Sequence, residues 1–447
     1  MIARILWREV RRTMILPFGV GFLVVANFLA QDPMSGSWPG LVMPVLSGHQ
    51  NNLFLLWPLA LAIGTAIGGR DRAAGVSELL STTTRHWTRI APRAALLTLG
   101  LAAAYLVAPA DQLISAAQTD SYWPKGWAWS LLAGALTVAA AALLGLALGR
   151  SLPSRLLVPV VGVVAMATIG LGLLLAEYHP SRAWLLIPSY LGPDAGQFAT
   201  TAARTNAAQA TWFLALGIAG LLLCSVTKWD RRRTLSATGA VLITGLTAAL
   251  LLFPSPNQAQ IQDAGATKLV CAEGLPRVCV ARPYAKSLPE LVAPARAALR
   301  ALAQLPNAPT TVLQDTRDPR KDERQPPETV LLDLVLDHEG HLVTGGTSLE
   351  ESILDGAGAM WCAEADDSRT LDQEYAARTI AASWLLNRKE PLDTGFPEVQ
   401  KLTETAWTAL RSQPTAVQRE RIAALRTNRL ECRDDGYAIL LGTPVAS

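Results

Sequence analysis

The residues best suited to chemistry sit in DHEGHLV, residues 337 to 343, where two histidines flank an acid. A zinc peptidase sets H-E-x-x-H on a helix, so that histidines four apart share one face and the glutamate after the first serves as base. His338 and His341 are three apart, and their flanks, VLLDLVLD and HLVTGG, alternate as strands do. The stretch therefore reads as a β-hairpin with Glu339 and Gly340 in its turn. No Ser-His-Asp arrangement is identifiable either, because His49, His86 and His179 fall in loops of the apolar half. A G-x-x-x-x-G-K-[ST] loop, the backbone cradle for nucleotide phosphates, does not occur. The expectation is a chain without enzymatic activity, cofactor or metal of its own.

The elements around these residues are set by hydropathy. Half of the 447 residues are apolar, which is high for one soluble domain and directs attention to membrane spans. Seven charge-poor windows, 14–30, 53–68, 94–108, 127–148, 156–175, 210–226 and 235–253, approach or fall within the roughly 17–25 residues that a spanning helix needs. Lys and Arg on short loops stay on the cytoplasmic side. With the N-terminus inside, the inner segments 1–13, 69–93, 149–155 and 227–234 hold 15 of the 18 basic residues before position 254, and the outer loops hold Lys125, Arg182 and Arg204. The basic start and first apolar run have the outline of a signal peptide, but cleavage after Ala30 would put bulky Phe28 where a small residue is required. The first helix is therefore read as retained.

Seven crossings put residues 254–447 outside the cell. This segment carries 21 basic and 27 acidic residues, a net of −6, which excludes a nucleic-acid surface. It reads as α+β. TKLVCAEGLPRVCVA gives two strands about an EGLP turn, and Ser287 and Glu290 take capping-box spacing ahead of a helix with Pro289 in its first turn. Helical periodicity follows near 371–387, 397–411 and 415–428, whereas 315–328, DTRDPRKDERQPPE, is a polar loop. Residues 254–267 read as a short tether. Four of the five cysteines, Cys271, Cys279, Cys362 and Cys432, lie in this outer segment, as disulfides in an oxidising compartment do. Three pairings are open by count. The hairpin sets Cys271 opposite Cys279, which leaves Cys362 for Cys432.

The stretch GRDRAAGVSELLSTTTR, residues 69–85, is a polar, helix-compatible interruption between the second and third spans, with Val76, Leu79 and Leu80 on one face. Here the chain resembles the type-2 permease family of ABC exporters, which carry an acidic and basic pair, a Gly, Glu-Leu-Leu and a Thr-containing turn at this point. Arg70, Asp71, Arg72, Gly75, Glu78, Leu79, Leu80, Ser81 and Thr82 match, and Thr83 stands where the family often has Pro. The resemblance covers about residues 1–230. It implies that this coupling helix, Val76 included, docks in a groove of a separate ATPase subunit that supplies ATP and Mg. It also implies a second permease half, identical or not, and short helices capping the outer mouth within residues 176–209. A basic anchor lying on anionic lipid is the alternative use of the stretch.

The expected architecture is an α-helical polytopic membrane protein. A six-span permease core occupies residues 1–230, a seventh transmembrane helix 231–253 and an extracytoplasmic α+β domain 254–447. The expected setting is the lipid bilayer of a bacterial plasma membrane. No span buries an Asp, Glu, Lys or Arg, which argues against an ion-coupled carrier. An uncharged path suits hydrophobic or peptide- and antibiotic-like cargo, and the outer domain would bind, gate or shield that cargo or a partner. The rival reading is a non-transporting membrane sensor with an extracellular ligand domain.

Overall fold

A computed structural model describes the chain except for residues 1–14, 32–40, 74–86, 119–120, 153, 155, 180, 193–194, 226–230, 322, 338–340, 344–347, 362–367, 434–435 and 443–447. The chain forms two compact units, Met1–Asp263 and Ala264–Ser447.

The first unit is helical. In order it contains α1 (Ile15–Gln31), α2 (Val42–Asn51), α3 (Leu53–Ala73), α4 (Trp87–Val107), α5 (Ala110–Gln118), α6 (Trp127–Ser151), α7 (Leu157–Tyr178), α8 (Ala203–Cys224) and α9 (Arg231–Leu252). Among the described residues six stretches, built on α3, α4, α6, α7, α8 and α9, are long and apolar enough to cross a membrane, and α1 is a shorter apolar helix. A buried core that includes Phe22, Leu56, Leu97, Leu101 and Tyr105 joins these helices, and α3 and α6 add a close backbone approach. Gly64 and Gly68 of α3 and Gly145 and Gly149 of α6 form two facing Gly-x-x-x-Gly pairs. A Cβ on any of the four would run into a backbone carbonyl of the other helix: Ala142, Leu146, Leu61 or Thr65. Small residues at this spacing let helices meet at van der Waals distance without a hydrophobic driving force. Hydroxyls within the apolar helices bond one turn back, as Thr65 does to the Leu61 carbonyl and Thr137 to that of Ala133. The apolar window of α6 is 67% buried against 17% for those of α7 and α9, so α6 is the centre of the unit.

Two expectations change in this unit. The connection before α8 holds a 3-10 turn, Arg182–Leu186, and a strand, β1 (Ala199–Thr201), rather than a set of capping helices. The expected tether folds back instead: β2 (Gln260–Gln262) pairs antiparallel with β1, Ala199 opposite Gln262. Thr205 donates to the Ala259 carbonyl, and the Tyr122 hydroxyl donates to the Asp263 carboxylate at 3.0 Å. Residues 254–263 therefore belong to the first unit, ten residues beyond the drop in hydropathy.

The second unit is a four-stranded sheet in the order β3 (Leu269–Cys271), β4 (Arg277–Ala281), β5 (Thr311–Gln314), β6 (Thr329–Leu332). The β3–β4 pair is antiparallel, and β4–β5 and β5–β6 are parallel. A parallel step needs a crossover. The first is α10 (Leu288–Leu302), whose Leu291, Ala295, Leu299 and Leu302 are buried. The second is the polar loop 315–328, an ordered segment. Asp315 and Arg317 bridge within it, Asp318 and Arg320 do likewise, and buried Gln325 donates to the carbonyls of Thr329 and Gly358. The hairpin β7 (Val335–Leu336) with β8 (Leu342–Val343) follows, then α11 (Leu349–Leu354), α12 (Ser368–Leu385), α13 (Pro397–Arg411), α14 (Thr415–Leu430) and α15 (Gly436–Leu441).

The capping box falls elsewhere than expected. Ser287 ends a 3-10 turn that runs straight into α10, so its backbone is already helical and its side chain makes no cap. The box forms instead at Ser348 and Glu351, at the start of α11. Cys271 and Cys279 face each other across β3 and β4, with Cα atoms 4.0 Å apart, and are disulfide-bonded.

Candidate functional site

The residues expected to couple to an ATPase are divided by the structure. Arg70, Asp71 and Arg72 lie in the last turns of α3, which runs on to Ala73 rather than stopping at Gly68. Gly75, Val76, Glu78, Leu79 and Leu80 lie outside the described residues. Cys432 is disulfide-bonded, and Cys362, its expected partner, also lies outside them. Of the DHEGHLV stretch, His341 is described: its Nδ1 is 2.6 Å from Glu290 Oε1, and the other oxygen of that carboxylate accepts from the Leu342 backbone. Glu290 thus anchors the β7–β8 hairpin to the first turn of α10 rather than completing a cap. Among the described residues no three His, Cys, Asp or Glu side chains gather as a metal site requires.

Inside the helical unit the structure assembles a polar network that sequence reasoning passed over. His49 lies in α2, not in a loop, and is buried. Its Nε2 is 3.0 Å from the Tyr105 carbonyl, and its ring centroid lies 4.2 Å from that of Tyr105. The neighbouring Gln50 donates to Gln209 of α8 at 3.2 Å and accepts from Thr201 of β1 at 3.4 Å. Gln209 in turn donates to the Leu185 and Tyr190 carbonyls, and one turn earlier Asn206 donates to Ser130 of α6 at 2.9 Å. Tyr105 of α4 fits because Gly134 of α6 has no side chain: a Cβ there would strike the Tyr105 hydroxyl. Three buried atoms of this region, His49 Nδ1, Asn206 Oδ1 and Ser189 Oγ, have no partner among the described residues. The network is neutral in composition, built from amides, hydroxyls, one imidazole and backbone carbonyls. It can exchange hydrogen bonds with a small polar group, and it holds no carboxylate or ammonium to trade a proton or pair with an ion. The readable signal was SGHQNN, a polar run between two apolar stretches. Such a run reads equally as a loop or as a buried kink.

The second unit carries an open aromatic cleft of about 410 Å³, lined by Trp361, Leu371, Asp372, Tyr375, Phe396 and Glu398 among others. The Tyr375 ring centroid is 6.0 Å from that of Trp361 and 6.1 Å from that of Phe396, the latter edge to face. Trp361 and Phe396 are nonetheless 45% and 61% exposed, well outside the usual range for packed aromatics. The chain leading to Trp361 is held rigidly. Gly356, Ala357 and Gly358 all have positive φ (58°, 57° and 74°). For Ala357 that conformation costs roughly 1–2 kcal/mol, offset by the clamp around it. The Arg426 guanidinium, fully buried, donates to the carbonyls of Ala357 and Pro327 at 2.7 Å and of Asn307 at 3.3 Å. Burial pulls the Arg426 pKa down to about 10, which leaves it charged at neutral pH. Gln325 accepts from the Met360 backbone at 2.8 Å. Arg378 bonds Asp355 at 2.7 Å and lies 4.7 Å from the Trp361 ring. Six residues of chain are thus fixed at both ends, and Trp361 is presented at the rim of the cleft.

No family model, curated protein or solved structure matches the chain.

Proposed function

We propose that this chain is the permease subunit of an ATP-driven ABC exporter of the type-2 class, set in a bacterial plasma membrane with its N-terminus inside, the shorter α1 crossing as a seventh span beside the six long helices, and its second unit outside. The observation that carries the reading is the charge pattern: 15 of 18 basic residues fall on alternate connections of a chain rich in long apolar helices. The pattern at Arg70, Asp71, Arg72, Gly75, Glu78, Leu79 and Leu80 adds the docking helix for a motor. No phosphate-binding loop is present in the sequence, so ATP and Mg would be held by a separate subunit. The neutral network around His49, Gln50, Asn206 and Gln209 supports an uncharged or hydrophobic cargo in preference to an ion. The second unit would receive, gate or shield cargo outside the membrane.

Affinity purification without crosslinking, followed by identification of the accompanying chains, tests this. An ABC ATPase should copurify, and Glu78→Arg should release it while the permease is still inserted. Its absence would favour a second reading, a non-transporting sensor, to which the open cleft in the second unit lends support.

A further inference from the structure

We infer that the cleft lined by Trp361, Tyr375, Phe396, Asp372 and Glu398 is a binding site for an organic cation with an apolar body. A cavity of about 410 Å³ suits a ligand of drug size, and such sites are mostly apolar with a few placed polar groups. The apolar part is three aromatic rings, Tyr375 packed against both Trp361 and Phe396, with Leu371 also in the lining. Aromatic faces attract cations through their quadrupole, and Trp361 already takes one, the Arg378 guanidinium at 4.7 Å.

The sign of the ligand follows from the charges around the cleft. Arg378 is neutralised by Asp355 at 2.7 Å, is 4% exposed and does not line the cleft, so its buried, unpartnered Nη1 is not presented to an anion there. Among the described residues Glu398 meets only Lys401, three residues on, at 2.9 Å, with side chains 77% and 71% exposed. Exposed pairs of this kind are weak and readily exchanged. Asp372 has no hydrogen bond or ion pair among the described residues, and it lines the cleft. Among the described residues one carboxylate is therefore without a partner, and a second is held only loosely, beside exposed rings on a segment that carries a net charge of −6. A cation gains from both features. An anion of the same shape gains from the rings alone and is repelled by the acids. The inference does not rest on the export reading, because it concerns the chain by itself.

The test uses the full chain in detergent, labelled with 5-fluorotryptophan, with the Trp361 fluorine resonance identified by its loss in Trp361→Phe. The probes are tetraphenylphosphonium and tetraphenylborate, nearly equal in shape and opposite in charge. A saturable movement of the Trp361 resonance is expected with the phosphonium and not with the borate. Asp372→Asn combined with Glu398→Gln should weaken phosphonium binding by about five-fold or more, with the unfolding temperature unchanged. Should that variant fail to fold, the native chain supplies the same information, since binding must weaken on raising salt from low values to about 0.5 M. Absence of a saturable shift, equal binding of both ions, or indifference to both the acids and salt would overturn the inference. Loss of the ATPase in the copurification experiment would leave it standing.

Discussion

The two units bury polar groups by opposite means. In the helical unit the buried polar side chains among the described residues are His, Gln, Asn, Ser and Thr, with no Asp, Glu, Lys or Arg. The second unit buries Asp318, Glu374, Arg378, Arg426 and Arg429, with Arg429 on Glu374 at 2.7 Å and Arg426 on three carbonyls. A buried charge is tolerable where local opening can admit water to it. Hydrocarbon, which helices of this length and apolarity are suited to cross, would offer no such relief, and there a neutral amide that finds one partner is the cheaper group to hide. The exteriors differ in parallel: α1, α7 and α9 expose Val24, Phe28, Val163, Ile243 and Leu251. The counterparts in the second unit include Leu275, at the tip of the β3–β4 turn, and the cleft residues Trp361, Leu371, Tyr375 and Phe396.

The strongest way to break the contrast is to attack the contact that needs no polar group at all. Gly145→Leu drives a side chain into the Leu61 carbonyl of a facing backbone, a clash worth about 3 kcal/mol or more. Folded protein extracted from membranes should fall to near nothing. Gly100→Leu, where nothing lies within 4 Å of an added Cβ, should leave the yield unchanged and so serves as the control. The next largest effect sets the two modes of burial side by side. Arg426→Leu strands three carbonyls and should destabilise the second unit by about 3–5 kcal/mol, whereas Asn206→Leu should cost the helical unit only about 1 kcal/mol. Hydrogen exchange read by mass spectrometry on the intact chain assigns each loss to its unit, and equal losses would erase the distinction. The smallest effect is a pH dependence. The hydrogen bond from Arg320 holds the Asp318 carboxyl below its ordinary 3.8. Its folded pKa is thus lower than its unfolded one, so its contribution is complete above the unfolded value and is lost as pH falls through the folded one. Asp318→Asn should flatten that part of the acid limb when unfolding midpoints are compared between about pH 5 and pH 3.

Regular, local signals were legible in the sequence. Six of the seven apolar windows foretold long helices and the first fell on the shorter α1, 397–411 coincides with α13, and the cysteine spacing about EGLP foretold the bridged hairpin. Signals that depend on a distant partner were not. Ser287 and Glu290 have the spacing of a capping box, but whether a serine caps depends on the backbone entering it, and a preceding 3-10 turn removes the option. The loop 315–328 has no periodicity because its order comes from Gln325 reaching Gly358 and from internal ion pairs. His49 looked like a loop residue because its partner, the Tyr105 carbonyl, lies 56 residues away. The two Gly-x-x-x-Gly pairs could have been found, since the spacing is printed in the sequence. Their meaning needed the facing helix. Of the cleft, the sequence offered only scattered aromatics, which become a site once the positive-φ segment 356–358 brings Trp361 beside Tyr375.

The position of Arg426 also sets an order in time. Its three carbonyl partners, on Asn307, Pro327 and Ala357, precede it by 119, 99 and 69 residues. Synthesis runs from the N-terminus, so sheet strands and the Trp361 segment are made long before the group that fastens them. Until α14 arrives, those carbonyls must be met by water, and the left-handed Ala357 is held only through its neighbours, Asp355 on Arg378 and Gly358 and Met360 on Gln325. A nascent or clipped chain ending before residue 426 should therefore keep the second unit loose and open to proteases, and the segment bearing the cleft should be among the last parts to become fixed. Arg426 acts as a latch that closes late, so the cleft matures only in chains synthesised past α14.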